Sequence, residues 1–279
     1  MPSKTIVLTG ASDGIGAEAA RQLAGDGHRL LLVGRSVEKT RAVAEQAGAE
    51  WFTADFARLD DVRTLAGKIT DAVGDGGIDV LANNAGGIFG DRTPTVDGFE
   101  KTMQVDHLAP FLLTNLLLPR LIAAGGAVVN TSSIAHRLFG HIDVDDLDNT
   151  RRFSPNKAYG DAKLANVLFT KSLHTKCHAD GLRAVAFHPG TVRTNFAAES
   201  SSIMRLLYRT PLRRVLLIGP EQGGETLRWF IEGTPDETWF SGAYYDERVL
   251  TTKVNPQADD PALAEALWQR SAQLTGIRP

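Results

Sequence analysis

Two residues four apart, Tyr159 and Lys163, hold the most informative chemistry in this 279-residue chain. Side chains at i and i+4 share one face of a helix, so an ammonium at 163 can lie beside a phenol at 159 and favour its phenolate. A phenol tuned in this way becomes a proton donor and acceptor usable near neutral pH. Far upstream stands the glycine run Thr9-Gly10-Ala11-Ser12-Asp13-Gly14-Ile15-Gly16. Glycine lets the backbone turn sharply and approach a pyrophosphate, while a helix opening there presents free N–H groups and a partial positive charge. Gly10, Ser12, Asp13, Gly14, Ile15 and Gly16 are therefore expected to hold the phosphates of a dinucleotide. Tyrosine, lysine and glycines together point to a nicotinamide-dependent oxidoreductase.

The elements that must position these residues are legible in the pattern. Short aliphatic or β-branched runs alternate with longer stretches of helical period, the signature of a parallel sheet covered on both faces. The expected fold is α/β: a doubly wound, Rossmann-type parallel sheet of about seven strands in a single domain over residues 1–279. Strands are expected at Thr5–Thr9, Arg29–Val33, Glu50–Thr53, Ile78–Ala82, Ala127–Thr131, Arg183–Phe187 and Ala243–Tyr245. Helices are expected to begin near Ile15, Val37, Asp60, Gly98, Lys157 and Glu221, with a last one at Pro261–Thr275 opened by Asp259-Asp260. Pro110 removes a backbone donor and is expected to kink its helix.

The second strand ends Val33-Gly34-Arg35-Ser36, the position that selects between dinucleotides. A carboxylate there accepts the ribose hydroxyls of NAD, whereas a guanidinium pairs with a 2′-phosphate. Arg35 therefore favours NADP, with NAD possible, because Asp13 mildly opposes a doubly charged phosphate nearby. After the third strand, Asp55 and Phe56 border the adenine end, although an N-cap role for the next helix explains Asp55 equally well. Asn83, Ala85 and Gly86 follow the fourth strand, where small residues let backbone pass under a flat cofactor.

The bulk properties exclude several functions. Of the residues, 43% are hydrophobic and 23% charged, and a net charge of -3 gives no electrostatic reason to bind nucleic acid. Cys177 is the single cysteine, so no intramolecular disulfide forms. With no apolar leader after Met1-Pro2-Ser3-Lys4, this suggests a cytoplasmic setting. The apolar stretch from Leu108 to Pro119 is too short for the roughly 20 residues of a membrane span, so no integral membrane segment is expected, and no metal is called for.

Taken in order, the glycine run, Asn83-Asn84-Ala85-Gly86, Ser133, Tyr159-x-x-x-Lys163 and Pro189-Gly190-Thr191-Val192-x-Thr194 resemble the short-chain dehydrogenase/reductase family over nearly the whole chain. The phrases Val105-Asp106-His107-Leu108, Tyr159 to Phe169 and Pro220-Glu221-Gln222-Gly223 are similar to its retinol-dehydrogenase-like branch. The resemblance implies that Tyr159 exchanges a proton with a carbonyl or alcohol oxygen, that Ser133 orients that oxygen, and that Lys163 also holds the nicotinamide ribose. It further implies cofactor contacts from Pro189, Gly190, Val192 and Thr194. Asp106 is a departure. The family usually carries asparagine there, supporting a water-linked proton path from the lysine in which the backbone carbonyl takes part; His107 beside it is expected only to pack.

Substrate contacts are expected from Phe89, His136, Leu138 and Phe196, with residues 195–219 as an amphipathic, arginine-rich lid over a lipophilic carbonyl or alcohol compound. Many family members pair their fourth and fifth helices across subunits, so a homo-oligomer is compatible with the sequence. The competing reading is a catalytically idle NADP-binding sensor, to which only Asp106 lends weight.

Overall fold

The computed structural model describes residues 3–190 and 219–278. Its strands are β1 Thr5–Thr9, β2 Arg29–Gly34, β3 Glu50–Thr53, β4 Val80–Asn83, β5 Ala127–Thr131, β6 Arg183–His188, β7 Tyr244–Asp246 and β8 Val249–Leu250. They form one sheet in the order β3-β2-β1-β4-β5-β6-β7-β8. β1 to β7 are parallel, and β8 runs antiparallel to β7. The expected sheet had about seven strands; the eighth is a two-residue hairpin return, too short to leave a pattern in sequence. Strand order reverses between β1 and β4, which opens a crevice at their carboxyl ends.

The helices are α1 Gly14–Leu23, α2 Val37–Ala47, α3 Leu59–Val73, α4 Lys101–Met103, α5 Ala109–Ala123, α6 Ala135–Phe139, α7 Pro155–Cys177, α8 Pro220–Glu232 and α9 Pro261–Thr275. Alternation along each strand divides the core in two. Ile6, Leu8, Leu30, Leu32, Val129 and Phe187 face α1 and α8, while Val7, Leu31, Leu81 and Val128 face α3, α5 and α7. Both faces are therefore apolar, which is why the strands read as continuous hydrophobic runs.

Two details of the elements bear on chemistry. The α7 helix starts at Pro155, capped by the Ser154 hydroxyl accepting the Lys157 N–H at 3.1 Å. A proline at the first helical position loses no bond, so Ser154-Pro155 fixes the start one turn before Tyr159. Between α4 and α5 the helix widens into a π turn over Gln104–Leu108, where the Ala109 N–H reaches the Gln104 carbonyl. Pro110 lies just after this turn. The distortion is thus a π turn ahead of the proline rather than a simple kink at it.

Helix α9 folds back over α5 and α7. The Trp268 ring lies 5.1 Å from Phe111 and 5.7 Å from Phe169 between centroids, and Ser271 Oγ meets His107 Nε2 at 2.9 Å. His107 is buried in this packing, as expected, and takes no place in the crevice.

Candidate active site

The crevice at the strand-order reversal is lined by the turn after β1 and the turn after β4, and side chains lock these turns together. Thr9 Oγ1 accepts the N–H groups of Asn84 and Ala85, each at 3.0 Å, and Asn84 Nδ2 donates to the Thr9 carbonyl at 3.1 Å. The approach leaves no room for side chains at two glycines. A Cβ on Gly10, whose φ is +69°, would stand 2.8 Å from Ala85 Cα, and one on Gly16 would stand 2.3 Å from the Gly10 carbonyl oxygen. Both glycines are therefore demanded by the packing of the cradle itself. Thr9 and Asn84, which build it, stand inside the two motifs but were given no cofactor contact of their own; Asn84 satisfies backbone groups of the neighbouring turn, as asparagines in such turns often do.

Asp13 has a defined task. Its carboxylate caps α1, accepting the Gly14 N–H at 2.8 Å, and pairs with Lys39 Nζ at 3.0 Å. Lys39 thus partly neutralises the charge expected to repel a 2′-phosphate. Arg35, on which the sequence rests the choice between NADP and NAD, is exposed just beyond β2. Glycine cradle, helix N-terminus, strand-order reversal and exposed guanidinium fit a nicotinamide dinucleotide, which supplies or accepts a hydride when bound.

The other expected contact residues sit as follows. Asn83 belongs to β4 rather than to the turn, and its buried Nδ2 donates to Thr114 Oγ1 at 3.0 Å and Asn130 Oδ1 at 2.9 Å, so this side chain braces the sheet. Phe56 is a core residue beneath α3, and its carbonyl accepts Gln104 Nε2 at 3.2 Å. Asp55 does not cap α3, whose N-cap is Arg58; its carboxylate accepts the Ala57 N–H at 3.0 Å. Leu138 is 58% exposed on α6. Phe89 is half-buried after the β4 turn, with the Lys101 ammonium 4.3 Å from its ring centre. Pro189 and Gly190 follow β6 and are buried. Val192, Thr194, Phe196 and residues 195–218 of the expected lid lie outside the described residues.

Beside the crevice, α7 presents Tyr159 and Lys163. Lys163 Nζ lies 5.4 Å from the centre of the Tyr159 ring, and Tyr159 packs with Ile88 and Ala135 at 8% exposure. The two adjacent serines after β5 have separate tasks. Ser132 is buried, donating to the Lys163 carbonyl at 2.8 Å, whereas half-buried Ser133 accepts the Ala135 N–H at 3.2 Å. His136 is buried and its Nδ1 donates to the Ser133 carbonyl at 2.6 Å, with the ring edge-on to Tyr244. It braces the serine turn; burial pushes its pKa down, so it stays neutral.

Asp106 completes the group from the π turn. Its Oδ2 forms an ion pair with Lys163 Nζ at 2.9 Å, and Oδ1 accepts the Gly87 N–H at 2.8 Å. The Asp106 carbonyl accepts Asn166 Nδ2 at 3.0 Å. Pro110, four residues on, has no N–H to offer that carbonyl, so it is free to take a side chain from α7. Burial pushes the Asp106 carboxyl pKa up, opposed by the Lys163 ammonium and the Gly87 N–H.

Residues 4–204 match the family model described as short chain dehydrogenase. The chain belongs to the short-chain dehydrogenase family. This short-chain dehydrogenase is 41% identical over 283 residues to a protein of Streptomyces sp. (strain C5) assigned as a daunorubicin C-13 ketoreductase, DnrU, covering 99% of this chain and 94% of the relative. It is 36% identical over 289 residues to human retinol dehydrogenase 13, covering 99% and 86%. An uncharacterised protein from Mycobacterium paratuberculosis shares its fold with a TM-score of 0.78 at 33% identity, covering 99% and 96%. The chain thus stands on the retinol-dehydrogenase-like branch of the short-chain dehydrogenases, as an NAD(P)-dependent oxidoreductase. Among the described residues, no helix is long and apolar enough to cross a membrane.

Proposed function

We propose that this protein transfers a hydride between NADP(H) and the carbonyl or alcohol group of a lipophilic small molecule, with Tyr159 as general acid and base. The observation that carries the reading is the Lys163 ammonium 5.4 Å from the Tyr159 ring, beside the crevice that the glycine cradle opens. A positive charge at that distance stabilises the phenolate, so Tyr159 can release its proton to a carbonyl oxygen and recover it in the reverse direction. Ser133 offers a second hydroxyl, which holds the same oxygen in line for reaction. Ser132 is excluded from this role by its bond to the Lys163 carbonyl. Arg35 supports the preference for a 2′-phosphate. Support for a lipophilic substrate comes from the relatives, named for retinol and for daunorubicin.

The test is NADPH consumption with a panel of lipophilic aldehydes and ketones, including retinal and an anthracycline ketone. Turnover of at least one compound, faster with NADPH than with NADH, is expected. Tight NADPH binding without turnover of any of them would instead identify the catalytically idle sensor. Replacing Arg35 with aspartate should move the kcat/KM ratio toward NADH, and an unchanged ratio would remove Arg35 from the phosphate site.

A further inference from the structure

We propose that Asp106 is a positioning residue that acts through Lys163, offsetting its charge so that Tyr159 keeps its proton and the enzyme favours carbonyl reduction over alcohol oxidation. The inference rests on the proposed role of Tyr159 and extends it to the direction of the reaction. Its basis is geometric. The carboxylate is fully buried and touches the ammonium directly at 2.9 Å, with no space for a bridging water between them. A Cβ on Gly86 would come within 3.1 Å of the carboxyl carbon and both its oxygens, so the β4 turn is closely fitted around this group.

With asparagine at 106, Lys163 would present one uncompensated positive charge to the phenol. With an ionised aspartate the pair is neutral, and the pull on the Tyr159 proton weakens. Reduction needs the protonated phenol, because the Oη–H bond breaks and the proton passes to the carbonyl oxygen as the carbonyl carbon takes up hydride. Oxidation needs the phenolate, which accepts the alcohol proton. A neutral pair therefore extends the pH range in which the donor form is populated.

Among the described residues, the other ionisable groups around the pair do not replace it. Glu100, at the N-terminus of α4, has its carboxylate tied to the Thr102 and Met103 N–H groups at 2.9 and 2.8 Å. Its carboxyl is also pushed up by burial. His107 on the π turn points away to Ser271, and burial keeps it neutral, as it does His136 on α6 and His188 at the end of β6. From β5 comes only the Thr131 carbonyl, 3.4 Å from Lys163 Nζ.

The test is an ultraviolet titration of phenolate absorbance on the native protein and on Asp106→Asn. Each is read against the same protein carrying Tyr159→Phe, which isolates Tyr159 from the other tyrosines. In Asp106→Asn, Tyr159 should ionise roughly one pH unit or more lower than in the native protein, the effect of one nearby charge at an effective dielectric near 20. The ratio of oxidation to reduction kcat at neutral pH should rise about tenfold with it. Asp106→Ser removes the same charge in a smaller side chain and should shift in the same direction; it decides the matter if the asparagine variant fails to fold. Equal Tyr159 ionisation in native and variant proteins, or a shift upward in the variants, overturns the proposal. A downward shift in a protein that reduces no carbonyl would uphold the charge coupling and sink the proposed function instead.

Discussion

At the residue scale the proposed chemistry rests on the hydroxyls of Tyr159 and Ser133 and the Lys163 ammonium, while Ser132 beside them is turned inward. Tyr159→Phe should lower kcat by at least about a hundredfold, the usual worth of a positioned general acid, while leaving NADPH affinity near native; stopped-flow and binding titration separate the two. The adjacent serines should divide cleanly. Ser133→Ala should lower kcat about tenfold or more, with a smaller fall in melting temperature than Ser132→Ala because its bond to the Ala135 N–H is longer and only part-buried. Ser132→Ala should keep the chemistry and lose about 1 kcal/mol of stability with its bond to the Lys163 carbonyl. Equal kinetic losses in both would mean that the catalytic hydroxyl has been misassigned. Tyr159, Lys163 and Ser133 could be picked out as candidates because type and spacing mark them. That Ser132 faces inward was not legible, since two neighbouring serines look alike until a helix covers one of them.

At the scale of elements, the π turn decides what Asp106 can reach. Hydrophobic periodicity places the start of a helix near Gly98 but holds no sign of an i to i−5 bond. The sequence warned only through Pro110. The consequence falls on Asn166, whose amide spans from α7 to the Asp106 carbonyl and whose oxygen lies 3.4 Å from His107 Nδ1. Asn166→Ala would leave the Asp106 carbonyl unpaired in a dry site and should cost about 2 kcal/mol, read as a fall in the denaturant midpoint at constant slope. A midpoint within error of the native protein would mean that the π turn is held by the backbone alone. Asn83 teaches the same lesson: in sequence it stands in a small-residue turn, but β4 extends one residue further, and its amide turns to Thr114 and Asn130.

Two expectations belong to the whole molecule. His107 and His188 are buried with pKa values pushed down to about 4, so the folded state resists protonation where the unfolded chain accepts it, near 6.5. The stability they contribute is fully present above pH 6.5 and is lost as pH falls toward 4, about 3 kcal/mol for each. The burial-raised carboxyls of Glu100, Asp106 and Asp161 act in the opposite sense, taking up protons in the folded state. The melting temperature of His107→Gln should therefore fall less steeply between pH 6.5 and 4 than that of the native protein; parallel curves would exclude His107 as the source. The second expectation concerns assembly. Helix α9 covers α5 and α7 with Trp268 packed on the contacting rings of Phe111 and Phe169. That is the face which family resemblance offers for pairing of subunits, so light scattering should report a single protomer's mass, and a dimer would have to use another surface.

The sequence by itself determined the order of β1 to β7 and of the longer helices, the family, and the four-residue spacing of Tyr159 and Lys163, because each depends on residues close together in the chain. Periodicity, caps and four-residue spacing are local properties, and local properties survive in a one-dimensional string. Only the tertiary structure decided that Asp106 grips Lys163 directly, that Asn84 and Thr9 lock the cradle, and that α9 occupies a face left open in sequence. Those contacts join residues far apart in the chain, and whether two such groups meet is fixed by packing, which no local pattern records.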